Sequence, residues 1–403
     1  MKWLRGMASA WVFVICGCRG QAPGSRTDLV SLVDSLKPTV ERITGLQFRR
    51  PLRVETRTRD QLRAFLIEKA DEKLTPERLR GEELTLKLLG LVPDSINLRN
   101  LLVDVLSEQV AGYYDPESST LFAVEGGERL GLVILLTHEM THALQDQYLP
   151  LDSILEPQLD DDRQAAAQAI LEGQAFLVQM KAMLPAGRPL PPEFMEQARA
   201  GIAANQSSMP QFANAPLVIR QQLLYPYLAG GEFLIWWETA HPDTVPFGPR
   251  MPESSEQILQ PVRYEAGDRP VSIQFEGNDK ALFENTLGDF TIRVLAAQAV
   301  RAEDIAEKTT LGWGGDRFRI YDTPAGGALV WVVAWDDSVA MERFRRGTGA
   351  AIVAQSRPGY RFDMADLSIN GKPATRIVIA PVSWDRWNSL PAAGIPDDPN
   401  HTQ

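Results

Sequence analysis

The chain has 403 residues, of which 41 are basic and 52 acidic, and its formal net charge is −11. A chain of this length can form two ordinary domains with substantial cores. An acidic chain without a basic face lacks the electrostatic footprint of a nucleic-acid-binding protein, so we do not expect nucleic acid as a partner.

The N-terminus, MKWLRGMASAWVFVICGCRGQ, has the pattern of an export signal. Lys2 and Arg5 precede an apolar stretch and small residues, which predicts a signal peptide at residues 1–17 that is too short to span a membrane. The ICGC ending resembles a lipobox, with cleavage before Cys18 and a lipid on its thiol. We therefore expect an exported lipoprotein of the bacterial cell envelope, tethered to the membrane by residues 18–26. Secretion after ordinary signal cleavage is the alternative.

The next elements alternate between helices and short strands. TDLVSLVDSLKPTVERITG predicts a helix, PLRVETRT a strand, and RDQLRAFLIEKADEK a second helix. LRNLLVDVLSEQVAGYY predicts a helix as far as Gly112, where a glycine can end it. A turn at Asp115–Pro116 and a short strand, STLFAVE, are expected to follow.

A His-Glu-x-x-His pattern, HEMTH at 138–142, follows the apolar run LGLVILLT. On a helix, His138 and His142 lie one turn apart on one face, so both imidazoles can reach a single metal ion. Glu139 points away from that axis, where it can hold a metal-bound water instead of ligating the metal. The alternative is an ordinary core helix with two hydrogen-bonded histidines.

A catalytic zinc ion takes three protein ligands and keeps one position open. Asp146 lies on the same helix, but about 12 Å along its axis from His138, which is too far to ligate the same ion. Glu172 lies in the predicted helix DRQAAAQAILEGQAFLVQMKAM, among apolar residues where an isolated carboxylate is unusual. It is therefore the predicted third ligand, with a structural salt bridge as the alternative. Residues 160–162, all Asp, are expected to form the solvated start of this helix.

The HExxH pattern with a downstream Glu-Gly-x-Ala helix resembles the gluzincin group of zinc metallopeptidases. More narrowly, the chain is similar to bacterial envelope proteins that carry a peptidase-MA-like domain. The motifs that carry this resemblance are EQVAGYYDP (108–116), HEMTHALQDQ, EGQA (172–175), YPYLAGGEF (225–233), PESSEQILQPVRY (252–264) and GWGGDR (312–317). The resemblance implies a zincin-like fold, one Zn²⁺ held by His138, His142 and Glu172, and Glu139 as the general base. The group often has Asp where this chain has Gln174, and His where it has Gln260.

Two further sets of side chains are candidates for supporting roles. A tyrosine hydroxyl near the metal could stabilise the oxyanion of a tetrahedral intermediate, although an aromatic core patch also explains these tyrosines. The candidate donors are Tyr113, Tyr114, Tyr225 and Tyr227. Polar side chains could orient the ligating imidazoles. The candidates for that role are Glu108, Gln109, Asp146 and Gln174.

The organisation along the chain predicts an α+β protein. Residues 27–275 are expected to form a zincin-like domain whose strand before the HExxH helix edges a cleft, where an extended peptide could pair with it; an ordinary hairpin edge is equally compatible. Residues 151–265 should be mainly helical. Residues 281–390 predict a small α+β domain, with a helix at LFENTLGDFTIRVLAAQAV, a turn at GWGGDR, and strands and a helix after it. Residues 391–403 are expected to form a disordered tail.

These features together predict a zinc metallopeptidase that cleaves a peptide or protein substrate. Two other functions remain open on the same residues. The site could cleave a non-peptide amide, or the protein could be an envelope lipoprotein that uses a zincin fold as an interaction or assembly module. An intact Glu139 favours an enzyme, because a purely structural zinc ion needs no general base.

Overall fold

The computed structural model describes residues 26–73, 75–126, 129–154, 160–205, 208–277, 280–300 and 303–396. The predicted signal peptide at residues 1–17 and Cys18, the first residue of the predicted tether, lie outside the described residues, as do residues 397–403. The first described helix begins at Arg26, the last residue of the predicted tether.

The helices and strands predicted at the start of the chain are present in order, and the structure adds a helix at Pro76–Leu88 and a strand at Gly112–Asp115 that were not predicted. The elements in chain order are α1 (Arg26–Thr44), β1 (Arg53–Arg57), α2 (Arg59–Lys73), α3 (Pro76–Leu88), α4 (Leu98–Gln109), β2 (Gly112–Asp115) and β3 (Thr120–Val124). The prediction of a helix as far as Gly112 is wrong, because α4 ends at Gln109 and Gly112 opens a strand. Tyr113 and Tyr114 belong to β2, where both side chains are buried. Aromatic residues are common in strands, and tertiary burial here overrides the helical pattern before them.

β3 is the central strand of a three-stranded sheet, parallel to β1 and antiparallel to β2. Every residue of β3 is buried, as its mostly apolar sequence TLFAV favours. The strand before the HExxH helix is therefore not an edge, contrary to the prediction for residues 119–125. β1 and β2 are the two edge strands of this sheet. Of the two, β2 contacts the HExxH helix through the hydrogen bond from Tyr114 to Glu139.

The middle of the chain is mainly helical, which confirms the prediction for residues 151–265. Its helices are α5 (Arg129–Tyr148), α6 (Leu151–Ile154), α7 (Asp161–Ala182), α8 (Phe194–Asn205), α9 (Pro210–Asn214), α10 (Leu217–Ala240), α11 (Ser255–Leu259) and α12 (Pro261–Glu265). α7 and α10 cross at glycines: a Cβ atom on Gly230 would lie 1.9 Å from the carbonyl oxygen of Ala169. Glycine is therefore required where the two helices meet.

The acidic residues at the start of α7 are not all solvated. Asp160 caps the helix by accepting from the backbone N–H of Arg163 at 2.9 Å. Asp161 and Asp162 are buried, and Asp162 accepts hydrogen bonds from the hydroxyl and the backbone N–H of Ser255. The prediction of a solvated start is wrong for these two residues, because Ser255 of α11 packs on Asp162 and Arg78 of α3 forms an ion pair with Asp161.

The C-terminal region contains a five-stranded antiparallel sheet in the order β5-β6-β7-β9-β8. Its strands are β5 (Phe283–Asn285), β6 (Trp313–Thr323), β7 (Gly326–Trp335), β8 (Tyr360–Ile369) and β9 (Lys372–Pro381). A smaller two-stranded sheet joins β4 (Gln274–Phe275) to β10 (Ala393–Gly394). The helices of this region are α13 (Gly288–Val300), α14 (Glu303–Thr310), α15 (Ser338–Phe344) and α16 (Ala350–Val353), with a π-turn at Arg345–Gly349 between the last two.

Three predictions for this region are corrected. The helix expected from residue 282 begins at Gly288, and residues 283–285 form β5. GWGGDR opens β6 instead of forming a turn, with an irregular register between Trp313 and Gly315. The predicted disordered tail is ordered at residues 391–396, because β10 pairs with β4 and Asn370 donates to the Ile395 carbonyl at 2.7 Å.

The protein is an α+β protein, as predicted from the sequence. One cluster of buried hydrophobic residues runs from Leu62 to Ile379, and so includes residues of both predicted domains. Among the described helices, none has the length and apolar character needed to cross a membrane.

Candidate metal centre

The two histidines of α5 and the glutamate of α7 meet in the interior. The Nε2 atoms of His138 and His142 lie 3.0 Å apart, and they lie 3.2 and 3.3 Å from Glu172 Oε2. One ligand atom from each side chain falls within 4.8 Å of the other two. α5 places both imidazoles on one face because they are one helical turn apart, and α7 packs against that face. The structure thus brings together the three side chains predicted as ligands.

Burial and charge determine the protonation of these groups. His138, His142 and Glu172 are at most 2% exposed. Burial lowers the pKa of the His138 imidazole, which favours the neutral form that binds metals. Burial alone would raise the pKa of Glu172, but the two adjacent imidazoles outweigh it, and the pKa of this carboxyl lies below its ordinary value. A neutral imidazole beside an ionised carboxylate is the donor set that a divalent cation requires.

Glu139 lies beside this group and is held by the sheet. The backbone N–H of Tyr114, on β2, donates to Glu139 Oε2 at 2.7 Å. Glu139 is 1% exposed, and its other oxygen, Oε1, is buried without a hydrogen-bond partner among the described residues. Burial raises the pKa of this carboxyl well above its ordinary value, and the charge of Glu172 adds to the shift. An unsatisfied buried oxygen beside three ligating atoms fits a site that binds a metal ion and a water molecule.

Two glutamines hold the outer nitrogens of the imidazoles. His138 Nδ1 lies 2.9 Å from Gln179 Oε1, and His142 Nδ1 lies 2.8 Å from Gln145 Oε1. Neither residue was predicted for this role. Helical spacing carries the only sequence signal: Gln145 is three residues after His142, and Gln179 is seven residues after Glu172, which places each on the same face as its neighbour.

Of the four candidate tyrosines, Tyr227 is the one whose side chain reaches the candidate ligands. Its ring centroid lies 5.9 Å from that of His138, and its hydroxyl forms a hydrogen bond with Glu172. Tyr114 contributes its backbone N–H, while its hydroxyl donates to Asp146. Tyr113 is stacked between two phenylalanines, and Tyr225 lies against Phe290 with ring centroids 4.2 Å apart. The last two are aromatic core residues, as the alternative interpretation held.

The candidates for orienting the imidazoles also differ in whether they reach these rings. Gln174 accepts from Gln145 at 2.9 Å and so reaches His142 indirectly. Asp146 accepts from Tyr114 and from Arg50.

The last two candidates have no contact with the imidazoles. Glu108 accepts from the backbone N–H groups of Gln211 and Phe212 at 3.0 and 2.9 Å, and so caps α9. Gln109 is a buried residue at the end of α4. Gln260, the position noted in the motif PESSEQILQPVRY, lies 3.5 Å from Asp289.

Comparison with known proteins gives one match. A protein-family model described as "Domain of unknown function (DUF8575)" matches residues 276–374. That segment runs from the end of β4 through most of the five-stranded sheet, and it excludes α5 and α7. No curated protein and no solved structure matches the chain. The chain is therefore similar to this family over its C-terminal region.

Proposed function

We propose that the protein is a zinc-dependent metallopeptidase with a zincin-like domain at residues 27–275. A single observation carries this proposal: two imidazoles from one helix and a carboxylate from another converge within 4.8 Å, with a second carboxylate beside them. Two nitrogen donors and one oxygen donor are a ligand set typical of catalytic zinc, which leaves the fourth position for water.

Zinc would be held by His138, His142 and Glu172, and when bound it would polarise a carbonyl and lower the pKa of water. Glu139 would accept a proton from the attacking water and return it to the leaving amine. The Tyr114 N–H would hold one oxygen of Glu139, so that the other faces the water. Tyr227, beside His138 and Glu172, is the donor best placed to bind the oxyanion that forms during attack.

Hydrolysis of a non-peptide amide would use the same residues in the same roles, so it differs from this proposal in substrate and not in mechanism. The interaction-module alternative has one observation in its favour. His138, Glu139, His142 and Glu172 are each at most 2% exposed, as in a structural metal centre. A hydrolase with this site must therefore open to admit its substrate, and the position of Glu139 beside the ligands favours the hydrolase.

The setting in the cell is part of the same proposal. Residues 1–17 would direct export, and a lipid on Cys18 would attach the mature chain to the envelope membrane. Soluble secretion or a periplasmic location would follow if Cys18 carried no lipid. The substrate would then be a peptide or protein outside the cytoplasm.

The test compares the purified mature protein with two variants in metal content and in cleavage of a broad peptide library. Glu139→Gln should keep one zinc ion per chain while cleavage falls by about 10²–10⁴-fold, the usual contribution of a general base. Glu256→Gln is the matched control, because Glu256 is a buried carboxyl of α11 with a pKa raised to about 9 by burial. It should retain wild-type cleavage. A wild-type protein that binds zinc but cleaves no peptide would favour the interaction-module alternative.

A further inference from the structure

We infer that Gln145 and Gln179 are positioning residues of the candidate metal centre. Each fixes which ring nitrogen of a histidine faces Glu172, and the two together join α5 to α7 on both sides of the ligands. This inference rests on the proposed function for its metal, but its geometry depends on the described side chains alone.

The contact of His138 crosses from one helix to the other. His138 is on α5, and its Nδ1 lies 2.9 Å from the amide oxygen of Gln179, on α7. An amide oxygen can only accept a hydrogen bond, so Nδ1 must carry the proton. The lone pair of the neutral ring is then on Nε2, the atom that lies 3.2 Å from Glu172 Oε2. Gln179 thus selects the tautomer that can ligate a metal at this position.

The contact of His142 is fixed by a longer chain of hydrogen bonds. Gln145 Nε2 donates to the backbone carbonyl of Leu171 and to Gln174 Oε1, both at 2.9 Å. A backbone carbonyl can only accept, so the amide nitrogen of Gln145 must face α7. Its oxygen therefore faces His142 Nδ1 at 2.8 Å, which again leaves the lone pair on Nε2. The acceptor carbonyl belongs to the residue before Glu172, so one amide links the ligands of both helices.

Both positioning groups are neutral, which matters in a buried site. Glu139 and Glu172 already supply two carboxylates that a divalent cation would balance. All polar groups of the pair Gln145–His142 are buried, and a third buried carboxylate would carry a desolvation cost. We therefore expect the two amides to hold the imidazoles in the metal-binding tautomer in the metal-free protein, without adding a charge to the buried site.

The experiment uses substitutions that keep the shape of the glutamine side chain. Gln145→Met and Gln179→Met preserve length and remove the acceptor, and each should weaken zinc binding by about 10–100-fold in a competition titration with a chelating indicator. Gln145→Glu keeps an oxygen acceptor for His142 Nδ1, so it should retain the tautomer and bind zinc more tightly than Gln145→Met. Gln109→Met is the matched control, because Gln109 is a buried glutamine of α4 whose side chain does not contact the imidazoles, and it should stay within about threefold of wild type.

A second measurement needs neither activity nor metal. Nitrogen-15 NMR of the metal-free protein should show His138 and His142 protonated at Nδ1, and the two Met variants should show mixed tautomers. Wild-type tautomers and wild-type zinc affinity in both Met variants would overturn the inference, even if His142→Ala abolished binding. If the wild type binds no zinc, the proposed function fails, and the tautomers still decide whether the glutamines position the rings.

Discussion

The backbone N–H of Tyr114 donates a hydrogen bond to Glu139 Oε2 at 2.7 Å, and this contact joins the edge strand β2 to α5, the helix that carries the two candidate histidine ligands. Because the donor is a main-chain group, its position depends on the sheet and not on a side-chain rotamer. The contact compensates for part of the burial of Glu139, whose pKa nevertheless remains well above its ordinary value. Glu139 is therefore a buried carboxyl group that resists ionisation in the metal-free protein, at the position where the proposed reaction needs a base.

Glu139→Gln should stabilise the metal-free protein at neutral pH by about 1–3 kcal/mol, because it replaces a buried ionisable group with a neutral one of the same shape. A carboxyl whose pKa is raised by folding binds its proton more tightly in the native state. Stability therefore falls as pH rises above about 4.5, the pKa of the unfolded chain, toward the higher native value. The advantage of the variant should grow over that range and vanish below it. Urea denaturation at several pH values, with a chelator present, measures the free energy of unfolding of wild type and of Glu139→Gln. A difference between the two proteins that does not change with pH would contradict this explanation.

Glu172→Ala should lose zinc, whereas Asp146→Ala should keep it. Glu172 lies 3.2 and 3.3 Å from the two imidazole nitrogens, while Asp146 accepts hydrogen bonds from Tyr114 and Arg50. A ligand that binds only the native state stabilises it by about 2.7 kcal/mol at one hundred times its Kd. Thermal unfolding with added zinc should therefore shift upward for wild type and Asp146→Ala and stay constant for Glu172→Ala. Equal shifts in all three proteins would mean that a different carboxylate is the ligand.

Tyr227→Phe should lower the kcat of the zinc-saturated protein, and it should also weaken zinc binding, because the Tyr227 hydroxyl forms a hydrogen bond with Glu172. Phenylalanine keeps the ring beside His138 but lacks the hydroxyl that is placed to bind the developing oxyanion. Loss of one such donor typically costs about 10²–10³ in kcat. Tyr113→Phe is the control, because Tyr113 is stacked on Phe65 with centroids 4.5 Å apart, and its kcat should not change. Steady-state kinetics on a cleaved peptide measure kcat for both variants. An unchanged kcat in Tyr227→Phe would mean that a group other than Tyr227 binds the oxyanion.

Gly230→Ala should destabilise the protein by about 1–3 kcal/mol or more, although alanine in a helix normally gains about 1 kcal/mol over glycine. The added Cβ would lie 1.9 Å from the Ala169 carbonyl oxygen, a backbone atom that cannot move aside alone. Gly231→Ala is the neighbouring control, since its nearest contact is 3.3 Å to the side chain of Phe176. Chemical denaturation of the two variants should separate them clearly. Equal stability would show that the two helices adjust more freely than their contact implies.

Cys18→Ser should release the protein from the membrane fraction or block its maturation. The prediction rests on the ICGC sequence alone, because the N-terminal segment lies outside the described residues. Fractionation together with the intact mass of the mature protein measures the outcome. Unchanged membrane association and mass would refute the lipid anchor and favour ordinary secretion.

The local geometry of the candidate metal centre follows from the sequence of α5 and α7. The four-residue spacing of His138 and His142 places two imidazoles on one helical face, and the rise per residue excludes Asp146 as a third ligand. Glu172 could be predicted because a lone carboxylate among apolar neighbours needs a compensating partner in the interior. These inferences depend on helical periodicity and on burial preference, and both can be read from the residues of a single helix.

The distant groups that surround this candidate centre are set by the packing of separate elements against one another. Tyr227, Gln179 and the backbone of Tyr114 reach it from three different elements, and the residues that each contacts lie 25 or more positions away along the chain. The same limit explains why β2 and the burial of Asp162 were missed. Helix crossing and strand pairing depend on the packing of whole elements, and no short stretch of sequence encodes which of its polar groups will meet a partner there.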